Sequence, residues 1–254
     1  IPIIAITGTS GKTTTTRLTA HIAKSAGKKV GYTSSDGEYI QNQLMMRGDC
    51  TGPVSSQFVL KDPTVDFAIL ECARGGILKS GLAFQNCEVA VVTNVAADHI
   101  GWGDINAVEQ MAKVEAVVPE TVFPHGYAVL NADDHLTYAM KDDLKCNIAL
   151  FSMDENNPRI KEHSSEGGLS AVFENGFVSI LKGNWKIRVT NVKDIPLTYE
   201  GKAVHNINNC LPAVLATYLF RDITIEDIRS ALTSFVPSST QTPGRLNFFH
   251  FKHF

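Results

Sequence analysis

The chain has 254 residues, 44% of them hydrophobic and 19% charged, with a net charge of −3. That balance suits an ordinary globular protein and argues against a nucleic-acid-binding face. No apolar run reaches the roughly 18 residues of a membrane span, and no signal peptide is visible.

In chain order, residues 3–6 read as a buried strand and 14–26 as an amphipathic helix stopping near Gly27. A strand follows at 29–33, a helix at 55–60 ending before Pro63, and strands at 67–71 and 89–94. Residues 107–117 are helical, and 127–131 and 148–151 are further strands. Short apolar strands separated by helices predict an α/β fold, a mostly parallel sheet with helices on both faces. After about Ser164 the pattern changes. Gly167-Gly168, Asn175-Gly176 and Lys182-Gly183-Asn184 punctuate runs at 177–181 and 186–189, which predicts a small antiparallel subsheet over about 165–200. Helices return at 208–219 and 225–232, and Pro243-Gly244-Arg245 breaks the chain before an alternating, strand-like tail.

The segment Gly8-Thr9-Ser10-Gly11-Lys12-Thr13-Thr14-Thr15 carries the most chemistry. Strand, glycine loop and helix together make a phosphate-binding loop, whose N–H groups and helix N-terminus cradle phosphates. Lys12 would reach the β- and γ-phosphates and the Thr13 hydroxyl would ligate Mg²⁺, which points to ATP. The spacing is short, because only two residues separate Gly8 from the Gly11-Lys12 pair.

In open α/β sheets, ligands sit beyond the carboxyl ends of the strands. Glu71 ends one strand; Asn94 ends another, with Asp98 and His99 just after it. Glu71 and His99 are candidate metal ligands with Thr13. Glu71 alone also reads as a helix-capping or loop acid, and His99 alone as a structural histidine. Arg74 and the backbone of Gly75-Gly76 are candidate donors to a tetrahedral intermediate, with a structural ion pair as the alternative for Arg74. Residues 48–53 form either a loop rimming an acceptor site or a plain turn. Asn206 and Asn209, at a helix start, either read a base or cap the helix. Cys50, Cys72, Cys87, Cys146 and Cys210 lack CxxC spacing and read as reduced thiols of a cytoplasmic protein.

Four motifs in order resemble the Mur ligase superfamily: the short loop from Thr7 to Thr14, Asn94 with Asp98-His99, His205-Asn206 with Asn209, and Pro243-Gly244-Arg245. The segments around Asp36-Gly37, 48–53, Glu71 to Leu78 and Leu130 to Asp134 are similar to the ligase domain of cyanophycin synthetases. The resemblance implies a central ATP-binding domain over 1–245, with a C-terminal ligase lobe beginning at 246–254. It implies amide bond formation through an acyl phosphate on an acidic acceptor, poly-aspartate, with arginine as the amine. It further implies an upstream ATP-grasp domain and a homo-oligomer, and the ends at Ile1 and Phe254 look like cuts in a longer chain. Asn206, Asn209 and Arg245 would contact nucleotide. The family carries a lysine, often carbamylated, where this chain has Glu115; Lys113 lies two residues earlier and points elsewhere. Glu115 either supplies the negative oxygen directly or is a solvent-facing helix acid. Another Mur-type ligase, or a P-loop ATPase or phosphotransferase without ligation, are the alternative functions; a silent nucleotide-binding module is a third reading.

Overall fold

The computed structural model describes residues 1–96 and 107–238. Strand β1 (Ile3–Thr7) is buried along its length and leads through the glycine loop into helix α1 (Lys12–Ser25). Then come β2 (Val30–Ser34), β3 (Gly37–Ile40), β4 (Gln43–Arg47), α2 (Pro53–Lys61), β5 (Phe67–Glu71), α3 (Arg74–Ser80) and β6 (Cys87–Val92). Next are α4 (Val108–Ala116), β7 (Val122–Asn131), α5 (His135–Ala139), β8 (Asn147–Ser152) and α6 (Pro158–Ser165). Strands β9 (Leu169–Glu174), β10 (Phe177–Lys182) and β11 (Trp185–Asn191) precede α7 (Val204–Tyr218) and α8 (Ile225–Ser234).

All described strands join one sheet in the order β11-β10-β9-β8-β7-β6-β1-β5-β2-β3-β4. From β9 across to β2 the pairs are parallel; β10 and β11 at one edge and β3 and β4 at the other are antiparallel. The expected antiparallel part is therefore present, but it continues the main sheet: Ala149 to Ser152 of β8 pair in parallel with Leu169 to Val172 of β9.

The period-2 alternation of β1 sorts its side chains to two cores. Ile4 and Ile6 face α1, α7 and α8; Ile3 and Ala5 face α2 and α3. A third cluster packs Val92, Ala128 and Leu130 against Met111 of α4 and Ile160 of α6. Because β1 has β5 on one side and β6 on the other, the strand order reverses there. The crevice beyond its carboxyl end is where such sheets bind ligands. No described helix is long and apolar enough to cross a membrane. The five cysteines are free thiols.

Several element bounds differ from expectation. Helix α1 begins at Lys12 and α7 at Val204, each earlier than the apolar pattern alone indicates, and β6 stops at Val92, so Asn94 lies just beyond it. The hairpin β3–β4 and helices α3, α5 and α6 are additions to the expected elements. The boundary expected at 245/246, Arg245 and the strand-like tail lie outside the described residues, as do Asp98 and His99.

Candidate active site

The glycine loop leaves β1 between the carboxyl ends of β5 and β6 and is strapped to the latter. Gly8 has φ +126°, and a Cβ there would lie 2.2 Å from the Thr93 hydroxyl oxygen, so only glycine fits. The Thr9 N–H donates to the Asn94 carbonyl at 2.8 Å. The Asn94 side chain grips Ser10 from both ends: its Oδ1 accepts the Ser10 N–H and its Nδ2 donates to the Ser10 carbonyl, each at 3.0 Å. The Thr93 hydroxyl donates to the same carbonyl at 2.7 Å. Gly11, at φ +85°, is the N-cap of α1. The Lys12 ammonium folds back over the loop and donates to the carbonyls of Gly8 (2.7 Å) and Thr9 (2.9 Å). Thr14, one turn into α1, is buried.

At the foot of the loop the Thr13 hydroxyl donates to Glu71 Oε1 at 3.0 Å and lies 2.9 Å from the Ser35 hydroxyl. Glu71 Oε2 accepts the Ser35 N–H at 3.1 Å. Glu71 is 1% exposed and pairs in register with Ile6 of β1, so its position follows from the sheet and it caps no helix. Among the described residues no three His, Cys, Asp or Glu side chains gather as a metal cluster. The oxygens present here are one carboxylate and two hydroxyls, hard donors of the kind that suit Mg²⁺.

Glu115, in the last turn of α4, is 1% exposed. Its carboxylate accepts the hydroxyl proton of Thr7 and the Gly8 N–H (3.1 Å), so it lies directly beneath the loop. Burial pushes its carboxyl above the usual carboxylate range, opposed by the Thr7 bond and by the charges of Lys12 and Arg74. The solvent-facing reading of Glu115 is thereby corrected; the exposed acid-flanking residue on this turn is Lys113. The inward reading of Glu115 came from the resemblance; the apolar stripe of α4 by itself gives no reason to bury an acid.

Arg74 opens α3 and forms no ion pair among the described residues, so the structural ion-pair reading finds no support there. Its Nη1 is buried without a hydrogen-bond partner among the described residues. Of the two glycine amides beside it, Gly76 N–H is taken by the Ala73 carbonyl at 3.0 Å. Residues 48–53 form an Asx turn, with the Asp49 carboxylate accepting from the Thr51 N–H (3.1 Å) and hydroxyl (2.7 Å). The turn is held to β2 by the Cys50 N–H on the Ser34 carbonyl at 3.0 Å.

Asn206 and Asn209 do not cap α7, which has no side-chain cap. The Asn206 amide donates to the Leu197 carbonyl at 2.8 Å, and Asn209 Nδ2 reaches Asn206 Oδ1 at 3.4 Å. Asn209 Oδ1 faces Gly11. The turn after β2 supplies two contributors: Ser35, on Glu71 and Thr13, which the sequence reading passed over, and Asp36, singled out there only through the resemblance, ion-paired with Arg17 at 2.7 Å. Their signal was the carboxyl end of a parallel strand adjoining β5.

A family model described as the Mur ligase middle domain matches residues 6–217. Over 254 residues the chain is 54% identical to a cyanophycin synthetase of Geminocystis herdmanii, covering 100% of this chain and 29% of that protein. A cyanophycin synthetase of Crocosphaera subtropica is 54% identical over 250 residues, 98% of this chain and 29% of that protein. The chain thus spans a little under a third of the length of these relatives. Among solved structures, a UDP-N-acetylmuramoyl-L-alanyl-D-glutamate–2,6-diaminopimelate ligase superposes with a TM-score of 0.73 at 20% identity, over 99% of this chain and 49% of that one.

Proposed function

The chain belongs to the Mur ligase family, and from that premise we propose that it is the ATP-binding centre of an acid–amino-acid ligase. The reaction is amide formation: a carboxylate does not lose oxide to an amine, so it is first phosphorylated by ATP. The acceptor carboxylate attacks the γ-phosphorus, ADP leaves, and the amine then displaces phosphate from the acyl carbon.

Each residue has a place in that sequence. Lys12, released from the Gly8 and Thr9 carbonyls, offsets charge on the transferring phosphoryl group. Thr13 and Glu71 would hold Mg²⁺, joined by His99, and their hydroxyl and carboxylate oxygens fit that ion. Bound there, Mg²⁺ supplies charge neutralisation on the phosphates. Glu115 fixes Thr7 and the Gly8 N–H, and presents a negative oxygen without a carbamylated lysine. Arg74, with one buried guanidinium nitrogen unengaged among the described residues, stabilises the tetrahedral intermediate. Asn206, Asn209 and Arg245 contact the nucleotide.

The finer reading follows the resemblance and the curated relatives: poly-aspartate as acceptor and arginine as amine, with an ATP-grasp domain upstream, a ligase lobe downstream, a homo-oligomeric parent and a cytoplasmic site. The observation that carries the proposal is the Thr13–Glu71 contact at the foot of the short glycine loop, at the reversal of strand order. The test is amine dependence in the full-length protein. ADP release should need both an acidic acceptor and an amino acid; ATP turnover indifferent to the amine overturns it in favour of a plain ATPase.

A further inference from the structure

Leu130-Asn131-Ala132-Asp133-Asp134 carries part of the resemblance but none of the chemistry proposed above. It turns the chain from β7 into α5, and each side-chain oxygen in it accepts a hydrogen bond. Asp133 anchors the turn to the end of β8 and the start of α6: it accepts from the Ser152 hydroxyl (2.5 Å), the Met153 N–H (2.7 Å) and the Asn157 amide (2.8 Å). Asn131 and Asp134 reach instead to the end of β6. Asn131 Oδ1 accepts the Asp133 N–H at 2.9 Å, which fixes the amide so that its Nδ2 donates to the Thr93 carbonyl at 2.8 Å. Asp134 divides its carboxylate. Oδ1 caps α5 by accepting the N–H groups of Leu136 (2.9 Å) and Thr137 (3.1 Å), and Oδ2 accepts the Val95 N–H at 2.5 Å.

Strand β6 lies between β1 and β7, so the stretch that follows it, Thr93 to Ala96, has the glycine loop on one side and this turn on the other. Toward the loop, the Thr93 N–H donates to the Thr7 carbonyl at 3.0 Å, the Ala96 N–H donates to the Thr9 hydroxyl at 2.9 Å, and Asn94 holds Ser10. Toward β7 it is held by Asn131 and Asp134. The stretch belongs to no helix or strand. A backbone N–H that loses its acceptor in such a place must move to find another. The two side chains therefore set the position of the stretch from which the glycine loop hangs.

We infer that Asp134, supported by Asn131, is a positioning residue for nucleotide binding. It acts through Val95 and Asn94 and fixes the direction of the Thr9 and Ser10 N–H groups that cradle phosphate. The inference rests on the phosphate-binding reading of the loop. It gives one carboxylate two separable tasks, a helix cap that serves stability and a bond to Val95 that serves the nucleotide.

The test titrates the full-length protein with a non-hydrolysable ATP analogue and Mg²⁺, and follows hydrogen exchange in the peptide from Gly8 to Thr16, which reports this site alone. Asp134→Ser keeps one oxygen to cap α5 and leaves Val95 without its acceptor. The analogue concentration for half protection should rise about tenfold. Thr224→Ala removes the cap of α8 and touches none of these groups; it should lower Tm, as Asp134→Ser does, yet leave half protection unchanged. Asn94→Ala cuts the side-chain link to Ser10, so adding Asp134→Ser to it should shift half protection by no more than about threefold. Unchanged half protection in Asp134→Ser, an equal shift in Thr224→Ala, or shifts that add fully in the double variant would overturn the inference. The expected pattern in a protein that makes no amide from any acidic acceptor would leave it standing and overturn the ligase reading. A loop that the analogue does not protect in the unaltered protein would overturn both.

Discussion

Gly11 and Asn209 meet so closely that no side chain fits between them: a Cβ on Gly11 would lie 2.3 Å from Asn209 Oδ1. The close approach seats the glycine loop against α7, while Thr93 and Asn94 strap it to the end of β6. Gly11→Ala adds this clash to the cost of a left-handed backbone at φ +85°, itself about 1–2 kcal/mol. Gly27, at φ +83° with nothing within 4 Å of its Cβ position, bears only the second cost. Both alanine variants should lower Tm, Gly11→Ala more, and only Gly11→Ala should weaken Mg·ATP binding by isothermal titration. Equal behaviour of the two would show that the loop does not depend on its seat against α7.

Glu115 sets a pH dependence. Its folded carboxyl titrates above the ordinary 4.5 because burial disfavours the charge. The folded state then binds the proton more tightly than the unfolded chain does, so the contribution is favourable below the unfolded value and is lost as pH rises through the folded one. Glu115→Gln should flatten that decline in the nucleotide-free protein, measured as urea midpoints against pH, while lowering kcat at neutral pH. A variant with wild-type kcat would reduce Glu115 to a structural acid.

Arg74 offers a separable test of the second chemical step. Arg74→Ala should cut amide formation by roughly 10²–10³-fold, the scale for removing one donor to an oxyanion. Mg·ATP affinity should be kept, because Arg74 forms none of the loop contacts described. Loss of nucleotide binding along with kcat would move Arg74 to the phosphate end of the site.

Away from the site, Arg188 holds the Glu174 carboxyl down to about 2, helped by Ser179, Asn175 and Lys186. A depressed carboxylate contributes stability above its unfolded value and loses it as pH falls toward about 2. Arg188→Ala should therefore destabilise the β9–β11 edge at neutral pH and make the stability less steep in acid, read by thermal melts between pH 2 and 5. Unchanged melts would mean the pair is silent in solution.

The centre of the sheet was legible because parallel strands covered on both faces leave short runs that are apolar up to their last residue, such as Ile3–Thr7 and Phe67–Glu71. The hairpin β3–β4 was not, since every residue of Gln43–Arg47 is exposed and shows no alternation. Helix α3 hid behind two glycines in its first turn, Gly75 and Gly76, both poor helix formers. In the site, the loop, Glu71 and the asparagines of α7 were readable as motifs, since local spacing carried them. The inward turn of Glu115 was offered only by the resemblance and the Ser35 contact not at all, because each depends on what the fold brings together, α4 against the end of β1 and β2 beside β5.

The central claim is that a carboxylate oxygen is phosphorylated before the amine attacks. The most direct measurement gives the full-length protein ATP, arginine and an acceptor labelled with ¹⁸O in its side-chain carboxylates, and follows inorganic phosphate by mass spectrometry. The account predicts one ¹⁸O atom in each phosphate released, in step with amide formed. Phosphate free of the label, its fourth oxygen taken from solvent water, or phosphate formed without amine, would contradict it.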